Sequence, residues 1–264
     1  MTDDRPVQPK ASSYFANAAA GVMMSDVVEA TVEHLRREAA IGAVPAAAEA
    51  SDAIAAGYAA AADLIGAEVD EVAFVESGNR ALAALIQSAA LQPGDHVLVD
   101  RTCWGGTLHM LSSYPGVIVD VMPVDQHGRV DVDAAKAQAH PATRLVVLTW
   151  CPATCAIFNP AEAVGLLARD LGAFYIVDAC QVAGQRSIDV RNLRCHGLAA
   201  SGRKWLRGPR GTAMLYASRE YLTTTQAFMA DQFGQGRTDA RRYETGGRTW
   251  PVASACPSRC APRN

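Results

Sequence analysis

Between residues 72 and 216 the chain alternates short apolar runs, many of them β-branched, with longer amphipathic stretches. The runs are Val72 to Val75, Val97 to Val99, Val117 to Val121, Leu145 to Thr149, Phe174 to Val177, Gly197 to Ala200 and Thr212 to Tyr216. They lack polar alternation, as strands buried on both faces do, because neither face meets water. Between them, Asn79 to Leu91, Val132 to Ala139 and Pro160 to Leu171 carry apolar residues at helical spacing. Strands alternating with helices predict a mainly parallel α/β sheet covered on both faces. Upstream, Val27, Val28, Thr31 and Leu35 recur at helical spacing after Ser25-Asp26, a candidate N-cap, and the Ala-rich run Glu49 to Ile65 reads as a second helix ended by Gly66. From residue 248 to 264 periodicity disappears and Pro and Cys accumulate, which predicts an irregular tail.

Composition narrows the class. With 264 residues, half of them apolar, the chain can bury a sizeable core. The net charge of -3 is small and the cations are scattered, which argues against a nucleic-acid partner or an anionic membrane surface. No segment has the uninterrupted apolar length of a membrane span and the N-terminus does not read as a secretory signal, so a cytoplasmic location is expected. Seven cysteines, an odd number in a long chain, point to reduced thiols rather than a disulfide framework, and none has a His at familiar zinc spacing. No metal is expected.

Candidate chemistry collects at a few turns. Ser77-Gly78-Asn79-Arg80 follows a strand and opens a helix, so unpaired backbone N–H groups and the helix dipole face that turn; it serves either as an ordinary capped helix start or as an anion site. Asp178 ends a strand, where ligands gather in open α/β sheets; it is a helix cap or a partner for a protonated ring nitrogen, with Gln181 three residues on. Lys204 stands in Ser201-Gly202-Arg203-Lys204-Trp205, where a hydroxyl and a guanidinium beside it can bind a phosphate, although the run taken alone reads more readily as a solvated basic loop. Trp104, before Gly105-Gly106, is a core residue or a stacking surface for a planar ring. A nucleotide-binding protein would need a glycine-rich phosphate loop after an early strand, and Ser77-Gly78-Asn79-Arg80 has one glycine.

The order of these pieces, Asn17-Ala18-Ala19-Ala20-Gly21, Ser77-Gly78-Asn79, Val177-Asp178-Ala179-Cys180-Gln181-Val182-Ala183-Gly184, and Ser201-Gly202-Arg203-Lys204-Trp205 with Gly208-Pro209-Arg210-Gly211, resembles the class V aminotransferase family of pyridoxal-phosphate enzymes. That family includes cysteine desulfurases and isopenicillin-N-epimerase-like proteins. The nearest look, through Arg203-Lys204-Trp205 and Glu38-Ala39-Ala40-Ile41-Gly42, is to its hercynylcysteine sulfoxide lyase branch. The resemblance implies the large domain of fold-type I enzymes, with a mainly parallel seven-stranded sheet in which Thr212 to Tyr216 is the antiparallel member. It implies pyridoxal 5'-phosphate as cofactor, Lys204 as the Schiff-base lysine and catalytic base, Asp178 on the ring nitrogen, and Gln181 near the phenolic oxygen. Trp104 would stack on the ring, Thr154 would supply a polar contact, and Gly78, Asn79, Ser201 and Arg203 would surround the phosphate.

Two features depart from the desulfurase pattern: Pro152-Ala153-Thr154-Cys155-Ala156 lacks an expected Asn, and the stacking residue, commonly His, is Trp104. The resemblance divides the chain into an N-terminal segment, 1–30, a cofactor-binding large domain, 31–247, and the tail, 248–264, with the family's small C-terminal domain missing. It implies a homodimer acting on an amino acid, by C–S cleavage or else by transamination or epimerisation. A truncated remnant that still binds the cofactor is the alternative.

Overall fold

The computed structural model describes residues 13–229 and 236–245. The expected tail from 248 onward, with Cys256 and Cys260, lies outside the described residues.

Seven strands form one sheet: β1 (Val72–Val75), β2 (His96–Val99), β3 (Ile118–Val121), β4 (Thr143–Thr149), β5 (Phe174–Asp178), β6 (Gly197–Ser201) and β7 (Ala213–Ala217). Their order across the sheet is β1-β7-β6-β5-β4-β2-β3. β7 is antiparallel to both β1 and β6, and every other neighbouring pair is parallel, as the resemblance implied.

Successive residues of every strand but the edge strand β3 feed opposite cores. Leu98, Val146, Leu148, Tyr175 and Val177 pack on one face with Ala61 and Ile65 of α3 (Ser51–Ile65) and Val164 and Leu167 of α7 (Ala161–Asp170). Val97, Val99, Leu145, Val147 and Ile176 pack on the other with Leu82, Leu85 and Ile86 of α4 (Gly78–Ser88) and Leu111 of α5 (Gly105–Ser112). A two-residue period with both faces dry is the reason these strands read as unbroken apolar runs. Among the described residues no helix is long and apolar enough to cross a membrane.

Helix boundaries differ from expectation in two places. Met24, not Ser25 or Asp26, is the N-cap of α1 (Ser25–Ile41), and no side chain caps it. Tertiary contact sets this start: the Met24 amide reaches the Arg207 carbonyl at 3.4 Å, while its own carbonyl accepts from Val27 and Val28 at 3.1 Å. The Ala-rich run is also split, with Glu49 ending α2 (Ala43–Glu49), Ala50 between, and Ser51 opening α3; Gly66 closes α3 in the left-handed conformation, as expected. The remaining helices are α6 (Val132–Gln138), α8 (Val190–Leu193) and α9 (Arg219–Thr224).

After β2 the chain steps outward to β3, and after β4 it steps inward to β5. The connections therefore diverge above β2 and β4, which opens a crevice at the strands' carboxyl edge. The opposite end of the sheet is held by Glu71, 1% exposed, just before β1. Its carboxylate pairs with Arg191 of α8 and accepts from the Glu68 and Arg219 amides at 3.0 and 3.1 Å, and Arg191 also reaches the Tyr216 hydroxyl at 3.3 Å. Arg191→Met strands this buried carboxylate with backbone donors only. Because the Arg191 side chain is itself half-exposed, the expected loss is about 2–3 kcal/mol, below the full cost of breaking a buried pair. Lys136→Met, which removes an exposed pair with Asp170, leaves the midpoint unchanged. Urea unfolding of the two variants checks the contrast; equal midpoints would remove Glu71 as an anchor.

Candidate active site

Five strand ends supply the polar groups of the crevice. From β1 the chain turns through Ser77, whose hydroxyl oxygen accepts from the Arg80 amide at 3.1 Å and so caps α4. That cap leaves the Gly78 and Asn79 amides, at the positive end of the helix dipole, facing the crevice. Gly78 sits where a side chain has no room: a β-carbon there would lie 2.6 Å from Cys180 Sγ and 2.7 Å from Ser201 Oγ. This is a cradle of backbone N–H groups with a hydroxyl beneath it, and it fits a phosphate group.

From β5, Asp178 accepts the Cys180 amide on Oδ1 at 2.9 Å. It is 9% exposed, and among the described residues no N–H or O–H donor reaches its Oδ2. An acceptor oriented this way fits a protonated ring nitrogen. From β6, Ser201 is followed by a closed loop in which the Gly202 amide meets the Thr212 carbonyl at 2.9 Å and the Gly208 amide meets the Gly202 carbonyl at 2.8 Å. Lys204 rides on this loop, half-buried, and among the described residues its amine has neither a hydrogen-bond acceptor nor a carboxylate within 4.0 Å.

An N-terminal strap covers the lysine loop. The Gly21 amide donates to the Arg203 carbonyl at 2.7 Å, Arg207 Nε to the Val22 carbonyl at 2.8 Å, and the Arg203 guanidinium to the Ala19 carbonyl. A β-carbon on Gly21 would stand 2.3 Å from the Lys204 carbonyl oxygen, so only glycine lets the strap lie this close. Gln181 joins the same assembly: Nε2 donates to the Ala18 carbonyl at 2.9 Å and Oε1 accepts from the Trp205 indole at 2.7 Å. One N–H of that amide is left for a ligand.

Trp104 is half-exposed at the N-terminus of α5. A β-carbon on Gly106 would lie 2.9 Å from its indole nitrogen and 3.5 Å from Asn79 Nδ2, so the ring and Asn79 meet over this glycine. Thr154 lies exposed in the loop after β4, and its hydroxyl makes no hydrogen bond among the described residues. The structure thus brings Gly78, Asp178 and Ser201 around one thiol and Asn79 to Trp104. It commits one hydrogen bond each of Gln181 and Arg203 to the strap.

Two residues of the crevice went unassigned in the sequence. Asp100, 2% exposed at the end of β2, accepts from the Thr149 amide at 2.6 Å and from the Thr102 amide and hydroxyl at 3.0 and 2.6 Å, and burial pushes its carboxyl up. It ties the loop that carries Trp104 to the end of β4. The usable signal was an isolated acid after Val97 to Val99, the same one that marked Asp178. The other is Cys180, whose thiol is pushed up to about 12 by burial first and by Asp178 second, while Lys204 pulls it down. Cys103, Cys151, Cys155, Cys180 and Cys195 are all free, and among the described residues no group of three or more His, Cys, Asp or Glu could hold a metal.

The chain is similar to known proteins in sequence and fold. Cysteine desulfurase of Pectobacterium carotovorum is 29% identical over 220 residues, covering 80% of this chain and 54% of that protein, so the chain spans about half the length of the curated relative. The apo structure of cysteine desulfurase from Thermococcus onnurineus superposes with a TM-score of 0.78 at 24% identity, covering 92% of this chain and 65% of that one. A lysine-to-alanine variant of C-DES, with glycine covalently linked to its PLP cofactor, superposes with a TM-score of 0.81 at 18% identity, over 92% and 69% of the two chains. At these identities the superpositions establish the fold-type I architecture, and the family model for aminotransferase class-V matches residues 13–245. Matched over that length by the family model and over its fold by the solved structures, the chain belongs to the aminotransferase class-V family.

Proposed function

We propose that this chain is the cofactor-binding part of a pyridoxal-phosphate enzyme that cleaves a C–S bond in an amino acid, in the manner of a desulfurase or a C–S lyase. The observation that carries this reading is a pair of groups at one sheet edge, both close enough to act on the Cys180 thiol: the Lys204 amine, which meets no acceptor or carboxylate among the described residues, and Asp178 Oδ2, which no N–H or O–H donor reaches among them. The desulfurase relatives and the sulfoxide-lyase likeness of Arg203-Lys204-Trp205 favour C–S cleavage.

Gly78 and Asn79 amides, Ser201 and Arg203 would hold the phosphate, Trp104 would cover the ring, and the remaining Gln181 N–H would meet the phenolic oxygen. Thr154 would add a polar contact from the loop after β4. Pyridoxal phosphate supplies an electron sink for charge left at the substrate α-carbon. Asp178 would hold the proton on the ring nitrogen through its Oδ2, and Lys204 would take the substrate's α-proton as general base.

The large domain at 31–247 belongs to the same proposal. So does a homodimer, supported by the exposed Trp104, Phe228 and Met229; Met229 Sδ accepts from Arg80 at 3.7 Å beside the cradle. Free thiols suit the reducing cytoplasm.

Purified protein mixed with pyridoxal phosphate is expected to develop the visible band of lysine-bound cofactor, and borohydride should fix the cofactor to Lys204. Lys204→Ala should abolish the band; a band that survives unchanged sinks the reading. L-cysteine or a cysteine conjugate is expected to perturb the band and yield a sulfur product with alanine or pyruvate. If cofactor binds but no amino acid disturbs it, the C–S cleavage assignment fails while the cofactor assignment stands. Gly78→Ala should weaken cofactor binding at least about tenfold, because the added methyl must displace Cys180 and Ser201; unchanged affinity by titration would remove the cradle.

A further inference from the structure

Cys180 has no part in the chemistry above, yet it touches every side of the cradle. Its amide holds Asp178 Oδ1 at 2.9 Å. Its thiol sulfur accepts the Ser201 hydroxyl at 3.1 Å, and its S–H donates to the Ala199 carbonyl at 3.8 Å. The same sulfur and the Ser201 oxygen are the two atoms a Gly78 side chain would strike. The residue is 6% exposed, and burial beside Asp178 keeps the thiol protonated, so it can donate as well as accept.

Ser201 has one hydroxyl proton, and that proton is directed at sulfur. A phosphate oxygen only accepts, so it needs the same proton. The hydroxyl can turn toward phosphate at little cost if another donor takes up its buried oxygen. Cys180 can provide that donor by releasing Ala199, whose carbonyl keeps the Ala179 amide at 2.9 Å and is not left unsatisfied.

We propose that Cys180 is a positioning residue of the cradle, changing from acceptor to donor toward Ser201 when a phosphate group occupies the N-terminus of α4. The proposal rests on the cofactor reading above and extends it to a residue that need not touch the cofactor.

A double-mutant cycle tests it. Pyridoxal phosphate and pyridoxal, which lacks the phosphate, are titrated into the wild type, Cys180→Ala, Cys180→Ser, Ser201→Ala and the Cys180→Ala/Ser201→Ala pair, with thermal melting in parallel. Wild-type binding gives up two thiol bonds, Ser201 to sulfur and sulfur to Ala199, and forms one in return, whereas Cys180→Ala has neither to give up. Cys180→Ala is therefore expected to tighten pyridoxal phosphate binding about 3–10-fold, the worth of one buried hydrogen bond. Cys180→Ser, which also donates and accepts, is expected to stay within about twofold. In the Ser201→Ala background the Cys180→Ala change should add nothing, and neither Cys180 variant should alter pyridoxal affinity. An unchanged or weakened Cys180→Ala variant, additive changes in the pair, equal changes toward pyridoxal, or a Cys180→Ser variant as altered as Cys180→Ala would each overturn the proposal. Failure of the wild type to bind pyridoxal phosphate at all would fail the cofactor reading and this proposal with it, whereas normal binding with additive changes fails this proposal alone.

Discussion

A sheet covered on both faces has only the ends of its strands to give to polar chemistry. Here each strand from β2 to β6 except β3 is apolar along its buried length and ends in, or next to, a group that can ionise or hydrogen-bond. Asp100, Thr149, Asp178 and Ser201 are placed by the register of the sheet, not by loops. The α4 amides join them because α4 starts where β1 ends, on the same edge. Burial of the two apolar layers therefore fixes the position of groups that take no part in that burial.

The same constraint explains which parts of the molecule the sequence revealed. All seven strands were legible: six because a strand buried on both faces is apolar almost throughout, and β3, with Ile118 and Val121 exposed and Asp120 within it, through its β-branched residues. α5, α8 and α9 were not: α8 and α9, of four and six residues, are too short to establish a helical period, and α5 opens on Gly105-Gly106, which favours no helix. The start of α1 misled because a good capping sequence, Ser25-Asp26, lies one residue inside a boundary that the Arg207 contact decides. Among site residues, Asp178 was recognisable and Asp100 was passed over although both are lone acids at strand ends. Only Asp178 stood within a run of family motif. Cys180 gave no local signal, since its surroundings come from β1, β6 and the turn after β5, which meet only in the folded chain.

Several residues serve structure and site together. Gln181 and Arg203, read from the sequence as cofactor contacts, spend hydrogen bonds on Ala18 and Ala19. These bonds hold the strap over the lysine loop, and the strap in turn restrains the backbone on which Lys204 is carried. Preorganisation of this kind is what lets a flexible lysine side chain work from a defined root.

The strap also has a history in time. Its bonds join residues 184 and 185 positions apart, Arg203 to Ala19 and Arg207 to Val22. A chain made from its N-terminus produces the strap first and the lysine loop much later, after most of the sheet strands have appeared. Closing so long a loop is slow and entropically unfavourable until other contacts have drawn its ends together. A segment made before every strand is thus among the last to be secured, and a nascent chain would carry the parallel strands β2 to β6 before it carried a finished lysine loop.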